Sequence, residues 1–189
     1  MRGIIASARY NSFGPPPDPG GGTDIDWGDI GSGGGGNWPT SANRALMRKL
    51  YADYEMTLTQ FNMRMRSTSS GVGDRFKGLV YLGDAAGGYP LTRIGVSDPT
   101  GPTAGGAELL TAACSIIVPA GFFYWEGYVC DGGSGPGSET DSGGFSTDIA
   151  IMLNGGEVNY ASPPASAGLW PGSPGPYSNI PALWFDGTY

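Results

Sequence analysis

Several sets of side chains in this sequence are of types that could do chemistry. Asp131, Glu139, Asp141 and Asp148 flank the stretch GGSGPGSETDSGGFS. Two carboxylates held at a fixed separation across a cleft would hydrolyse a glycosidic bond. A Gly-rich loop is a poor holder of such a separation, so the four read as solvated charges. Asp24, Asp26 and Asp29 in TDIDWGD are oxygen ligands of the kind Ca2+ takes, but the EF-hand spacing and its closing Glu are missing. These read as linker charges, and no metal or other cofactor is expected. Cys114 and Cys130 could form a disulfide; a tight turn at 119–121 would instead pair Cys114 with a residue near 126. Two buried free thiols are the expectation.

The aromatic side chains offer binding rather than catalysis. Phe122, Phe123, Tyr124, Trp125 and Tyr128 could stack on the apolar C–H faces of a sugar, but on a strand alternate side chains point to opposite faces, so about half should be core. Trp170 and Tyr177 lie in GLWPGSPGPYSN, read as a loop between strands. Together with Trp184 they are the aromatic residues placed best for a partner or glycan contact. GVGDRFKG and DGGSGPG share only their glycine content with phosphate-binding loops.

What is missing narrows the field further. The chain has no His, which removes the commonest general base and metal ligand and every Ser-His or Cys-His nucleophile. Up to Arg93 there are ten cations against eight carboxylates; in the 96 residues after it there are nine carboxylates and no cation. A half-chain without Lys or Arg cannot grip phosphate, so neither nucleic acid nor an anionic membrane is an expected partner. No apolar run approaches membrane-spanning length, and the start MRGIIASARYNSFG is too weakly apolar for secretion. The expectation is a soluble, non-enzymatic protein made in a cytoplasm.

The elements that would position these residues are strands. Among 189 residues, 35 Gly and 16 Pro punctuate short apolar runs, and both are unfavourable in helix interiors. Residues 1–40 read as an arm and linker, with Pro15–Pro17 stiff and Gly33–Gly36 loose. The islands Ile4, Ile5, Tyr10, Phe13, Ile25 and Trp27 are too small to fold alone but could order against a partner, which makes them candidate docking residues. Residues 41–189 read as the folded domain. In it SANRALMRKLYADYEM is ambiguous, with Met47, Leu50, Tyr51 and Tyr54 at helical spacing. Phe61, Met63 and Met65 then alternate with polar residues as a strand. FKGLVYLG and LTRIGVS follow as antiparallel strands. ELLTAACSIIVPAGFFYWEGYVCDG reads as a central hairpin turning at Pro119-Ala120-Gly121, STDIAIMLNGGEVNYAS as another with Asn154-Gly155-Gly156 at its tip, and NIPALWFDGTY as the closing strand. Seven to nine strands suit an antiparallel β-sandwich or jelly roll.

The succession RFKGLVYLGDAAGGYPLTRIG, AELLTAACSIIVPAGFFYWEGYVCDG, IAIMLNGGEVNYASPP and NIPALWFDGTY resembles the β-sandwich modules of tailed-bacteriophage structural proteins over roughly residues 40–189. Tyr81, Pro90, Val118–Gly121 and Pro181–Trp184 hold the positions of that family's strand-ending Tyr, its Gly and Pro turn, its VPAG-type turn and its Pro-aromatic closing strand. The resemblance implies that RALMRKLYADYEMTLTQFNMRMR forms two strands around a turn near Tyr54, Glu55 and Met56. It also implies a virion structural protein assembled in the host cytoplasm. Its arm would dock on capsid or tail proteins, and its jelly-roll-like sandwich would be displayed as a fibre, appendage or capsid decoration, in a homo-oligomer. On this expectation the basic residues gather towards the attachment side. The alternative is a carbohydrate-binding host-attachment module, its partner a host-surface glycan met by Trp170 and Tyr177.

Overall fold

The computed structural model describes residues 37–38, 45–65, 75–83, 90–103, 108–131, 138–141, 147–152, 160–166, 175–177, 180–181 and 183–188. In them the Gly and Pro punctuation separates strands only: β1 (Asn37–Trp38), β2 (Ala45–Ala52), β3 (Met56–Met65), β4 (Phe76–Gly83), β5 (Pro90–Val96), β6 (Glu108–Val118), β7 (Phe122–Cys130), β8 (Ser138–Asp141), β9 (Thr147–Met152), β10 (Gly175–Tyr177), β11 (Ile180–Pro181) and β12 (Leu183–Thr188). They form two six-stranded antiparallel sheets. In the first, β3 is flanked by β6 and β12, while β8 meets the end of β3 at Met65 and carries β1 and β11. The second runs β10-β9-β2-β7-β4-β5. The chain crosses repeatedly between them, so the fold is the β-sandwich expected, with jelly-roll-like wrapping. Twelve segments replace the expected seven to nine because β1, β10 and β11 are pairings of two or three residues.

One core fills the space between the sheets. Leu58, Phe61, Met63, Leu110, Ile116, Leu183 and Phe185 reach in from the first sheet, and Leu50, Phe76, Val80, Tyr124 and Tyr128 from the second. Each such side chain, fully removed from water, contributes roughly 1.5–3 kcal/mol. A second cluster, Ala45, Met47, Leu79, Tyr81, Trp125 and Val129, lies on the opposite face of the second sheet. The segment 160–166 straps that face. Tyr81 Oη donates to Pro164 O at 2.9 Å, Lys77 Nζ to Tyr160 O at 3.0 Å and Arg93 N to Ala165 O at 2.9 Å. Lys77 Nζ also sits 4.4 Å from the centre of the Tyr160 ring, within cation–π range.

Burial on both faces explains the ambiguity at 44–54. Met47 and Leu50 project to opposite sides of β2 and are both buried, which produces apolar spacing other than two in a strand. The segment is two strands, β2 and β3, joined through Asp53–Glu55. They do not pair with each other: β2 lies in the second sheet and β3 in the first.

The central hairpin is a correction of the same kind. β6 pairs with β3, whereas β7 pairs with β2 and β4. Pro119–Gly121 is therefore an arch from one sheet to the other. Gly121 adopts φ 82°, a left-handed conformation that a side chain would strain. The turn stays useful to the fold, but a strand pairing cannot be inferred from it. The expected hairpin after β9 lies partly outside the described residues, and Tyr160–Ser162 are bends rather than strand. β1, assigned to the arm by its sequence, pairs with β8, so the folded part includes Asn37 and Trp38.

Gly78 fixes the distance between the sheets. A Cβ on it would lie 2.6 Å from the Phe61 ring and 2.8 Å from Phe185, two rings already packed at 5.3 Å between centroids. Gly78→Ala is expected to cost about 1–3 kcal/mol through overpacking, read as a lower midpoint in urea with unchanged slope. A midpoint at or above the parent's would contradict this packing.

Candidate contact surface and interior ion pair

Two arches lie side by side at one end of the sandwich. Asp53–Glu55 carries the chain from β2 to β3, Pro119–Gly121 from β6 to β7, and Gly121 N–H donates to Ala52 O at 2.6 Å. In register, Phe122 stands opposite Ala52, and Ile117 opposite Thr57. This end gathers large apolar side chains in water: Phe122 is 50% exposed and Ile117 59%, Tyr54 is exposed on its arch, and exposed Leu91 begins β5. Behind them Tyr51 and Phe123 meet edge to face, 4.9 Å between centroids. Lys49 Nζ lies 5.3 Å from the Phe123 ring and 5.9 Å from that of Trp125. Such rings give rigid contact area at low entropic cost, and an exposed apolar cluster edged by the carboxylates of Asp53 and Glu55 is the anatomy of a contact site.

The other end holds the start of the described chain. β3 runs away from the arches to Met65, which meets Ser138 of β8, and Ser138 faces Trp38 of β1. Asn37, the first described residue, therefore lies at the end opposite Tyr54 and Phe122. Arg64, opposite Leu109, and Arg75 and Lys77 at the start of β4 lie towards this end. Glu108 and Asp131 lie there too, so the expected charge polarity is partial. Arg48 departs from it altogether.

Arg48 and Glu126 are directly opposite in register and both point between the sheets, at 4% and 0% exposure. Arg48 Nε donates to Glu126 Oε1 at 2.7 Å, and Nη2 donates to the same oxygen. Glu126 Oε2 and the Tyr124 hydroxyl, two residues away on β7, have no hydrogen-bond partner among the described residues. Burial raises the Glu126 carboxyl above its ordinary range and the Arg48 guanidinium pulls it part of the way back. Burial, reinforced by Glu126, also holds the Tyr124 phenol well up. Arg48 and Glu126 are thus a buried ion pair sealed from solvent.

The thiols are inert. Cys130 is buried and Cys114 half-buried, and neither is in a disulfide. Burial, with the carboxylates of Asp98 and Asp186 adding to it, pushes the Cys114 thiol up to about 12, far from a nucleophilic thiolate. Among the described residues, no three Cys, Asp or Glu side chains converge as a metal would need. Asp131 is exposed and accepts from Arg75 N at 2.6 Å.

The expected contact residues fall unevenly. Ile4, Ile5, Tyr10, Phe13, Ile25, Trp27 and Trp170 lie outside the described residues, as does the Asp24, Asp26 and Asp29 cluster. Tyr177, expected in a loop, ends β10 opposite Thr147; of its side chain nothing is described. Of the aromatic run on β7, Tyr124, Trp125 and Tyr128 are all buried, more than the half expected, because both faces of the second sheet are covered. Sequence reasoning missed that the arches lie side by side, since nothing local says that Ala52 and Gly121 meet. It also missed the ion pair. Its signal was present: Arg48, beside Lys49, in apolar β2 and Glu126 as the one carboxylate of β7.

No protein family, no curated protein and no solved structure matches this chain.

Proposed function

We propose that the chain is a non-enzymatic structural protein of a tailed-bacteriophage virion, docking through its N-terminal arm and displaying the sandwich as a fibre, appendage or decoration module. What supports the reading is one geometric relation. β1, where the described chain begins, lies at one end of the sandwich, and the exposed apolar residues Tyr54, Ile117 and Phe122 lie at the other. A module attached at one end and presenting contact residues at the opposite end is the arrangement that display needs. The bacteriophage setting rests on the resemblance in sequence alone.

Because Asn37 and Trp38 pair with β8, the deletion that separates docking from folding ends at residue 36. The chain lacking residues 1–36 should keep its β-sheet circular dichroism and cooperative melting. In cells producing the phage that encodes it, the truncated chain should be left out of the particles. Incorporation at the level of the full chain would defeat the docking reading, and loss of cooperative folding would defeat the division between arm and sandwich.

A second reading, a carbohydrate-binding host-attachment module, is favoured by a specific observation. The outward face of the first sheet carries a half-buried tryptophan beside a fixed row of amides and a carboxylate.

A further inference from the structure

We propose that this outward face binds an uncharged oligosaccharide, with Trp184 as the stacking platform and Asp186 as the acceptor for a sugar hydroxyl. The proposal rests on the second reading above and gives it a place and a ligand class. Leu183 and Phe185 point into the core, so alternation sends Trp184 and Asp186 outward from β12. In register, Trp184, Asn62 and Thr111 form one row across β12, β3 and β6, and Asp186, Gln60 and Ala113 the next. Adjacent strands are about 4.8 Å apart and successive outward residues about 7 Å. Ring and carboxylate thus stand side by side at the scale of one sugar residue.

The polar groups are held before any ligand arrives. Gln60 Nε2 donates to Asn62 Oδ1 at 2.7 Å, and Asn62 Nδ2 donates to Asp186 Oδ2 at 2.9 Å; Gln60 Nε2 also lies 3.5 Å from that oxygen. Asn62 is buried at the base of the face while Gln60 and Thr111 are exposed. Amide donors rather than a cation hold Asp186, and its Oδ1 stays outside the network. Fixed partners lower the ordering cost of binding. A pyranose offers what this arrangement takes: an apolar C–H face for the indole and hydroxyls that donate to a carboxylate.

Charge and polarity choose among occupants. These two rows hold one carboxylate, Asp186, and otherwise neutral polar groups, with Arg64 one row further along β3 opposite Leu109, so a sialylated or sulfated sugar meets Asp186. A protein partner fits poorly because protein interfaces have an apolar centre and a polar rim. Here the centre is polar, and the apolar residues, Leu109 and Ile117, stand at the two ends of β6.

The experiment titrates the full chain, by calorimetry and tryptophan fluorescence, with neutral oligosaccharides of glucose, galactose or mannose and with sialylated and sulfated ones. At least one neutral probe should bind at ~1 mM or tighter. Trp184→Ala and Asp186→Asn should each weaken it roughly tenfold or more, Trp184→Phe should keep most of it, and Trp170→Ala and Tyr177→Ala should leave it unchanged. Melting curves establish that each variant is folded, and the near-isosteric Asp186→Asn carries the test should Trp184→Ala not fold. Binding that survives both face variants and disappears with Trp170→Ala would overturn this site while leaving the attachment reading standing. Preference for the acidic probes would overturn the ligand class, and no binding to any probe would overturn both the site and the attachment reading.

Discussion

Glu126→Ala is expected to destabilise the sandwich by about 3–5 kcal/mol, because it leaves the Arg48 guanidinium buried between the sheets without its counter-charge. Few single substitutions reach that size, and those that do act through a named mechanism such as an unpaired buried charge. The companion variant decides whether the loss is intrinsic to the pair. Arg48→Met with Glu126→Leu removes both desolvation costs and replaces the charges by apolar volume, so it should lie near the parent or above it. Its midpoint in urea separates the two outcomes. If the double variant is as unstable as Glu126→Ala, packing around β2 and β7 rather than the charge is responsible.

The same pair sets a pH dependence whose sign follows from burial. The folded carboxyl titrates above its ordinary value of 4.5 because burial outweighs Arg48. The folded state therefore holds a proton that the unfolded chain has released. Stability from this group is fully present below about pH 4.5 and is lost as pH rises through the raised folded value. The parent should lose stability relative to the Arg48→Met, Glu126→Leu variant over that window, and a parent that gains stability relative to that variant as pH rises would reverse the assignment.

Trp125→Ala is expected to cost about 3–5 kcal/mol, the range for truncating a large buried aromatic, while Phe122→Ala, three residues earlier on the same strand, should stay within about 0.5 kcal/mol. The contrast tests the covering of the second sheet on both sides. Trp125 faces away from the inter-sheet core, yet it is fully buried with Tyr81, Leu79 and Val129. Its Nε1 has no acceptor among the described residues, so the expected loss is one of packing. Were that face an open aromatic platform, the two substitutions would cost about the same in equilibrium unfolding.

How far the sequence discloses this fold depends on whether the signal is local. Phe61, Met63 and Met65 alternate with polar residues, and β3 is where that pattern places it. Gly and Pro punctuation marks the strand ends, hence the all-β class. Partnership between strands is set by contacts far apart in sequence. Thus Pro119–Gly121 looks the same as a hairpin turn or as an arch, and the difference shows only in the flanking strands. β6 alternates exposed and buried, as in a sheet with one open face, whereas β7 is buried almost throughout. Two strands of one hairpin would share the exposure of one sheet. At the outward face, Trp184 was legible as a candidate for exposure, but Asn62 and Asp186 could not be joined to it. Their meeting depends on the β3 and β12 register, including the irregularity at Asp186/Gly187.

The absence of cations after Arg93 also acquires a different sense. The boundary falls within β5, inside one domain, and one of the cations before it, Arg48, serves the interior. What polarises the described fold is the placing of β1 and the apolar arches at opposite ends. Imaging of intact particles at a resolution that traces strands addresses this most directly. The expected result is density in which β1 and the start of the sandwich abut the particle, with Tyr54 and Phe122 at the outward end. Particles without the chain, or with the Phe122 end buried against them, would contradict it.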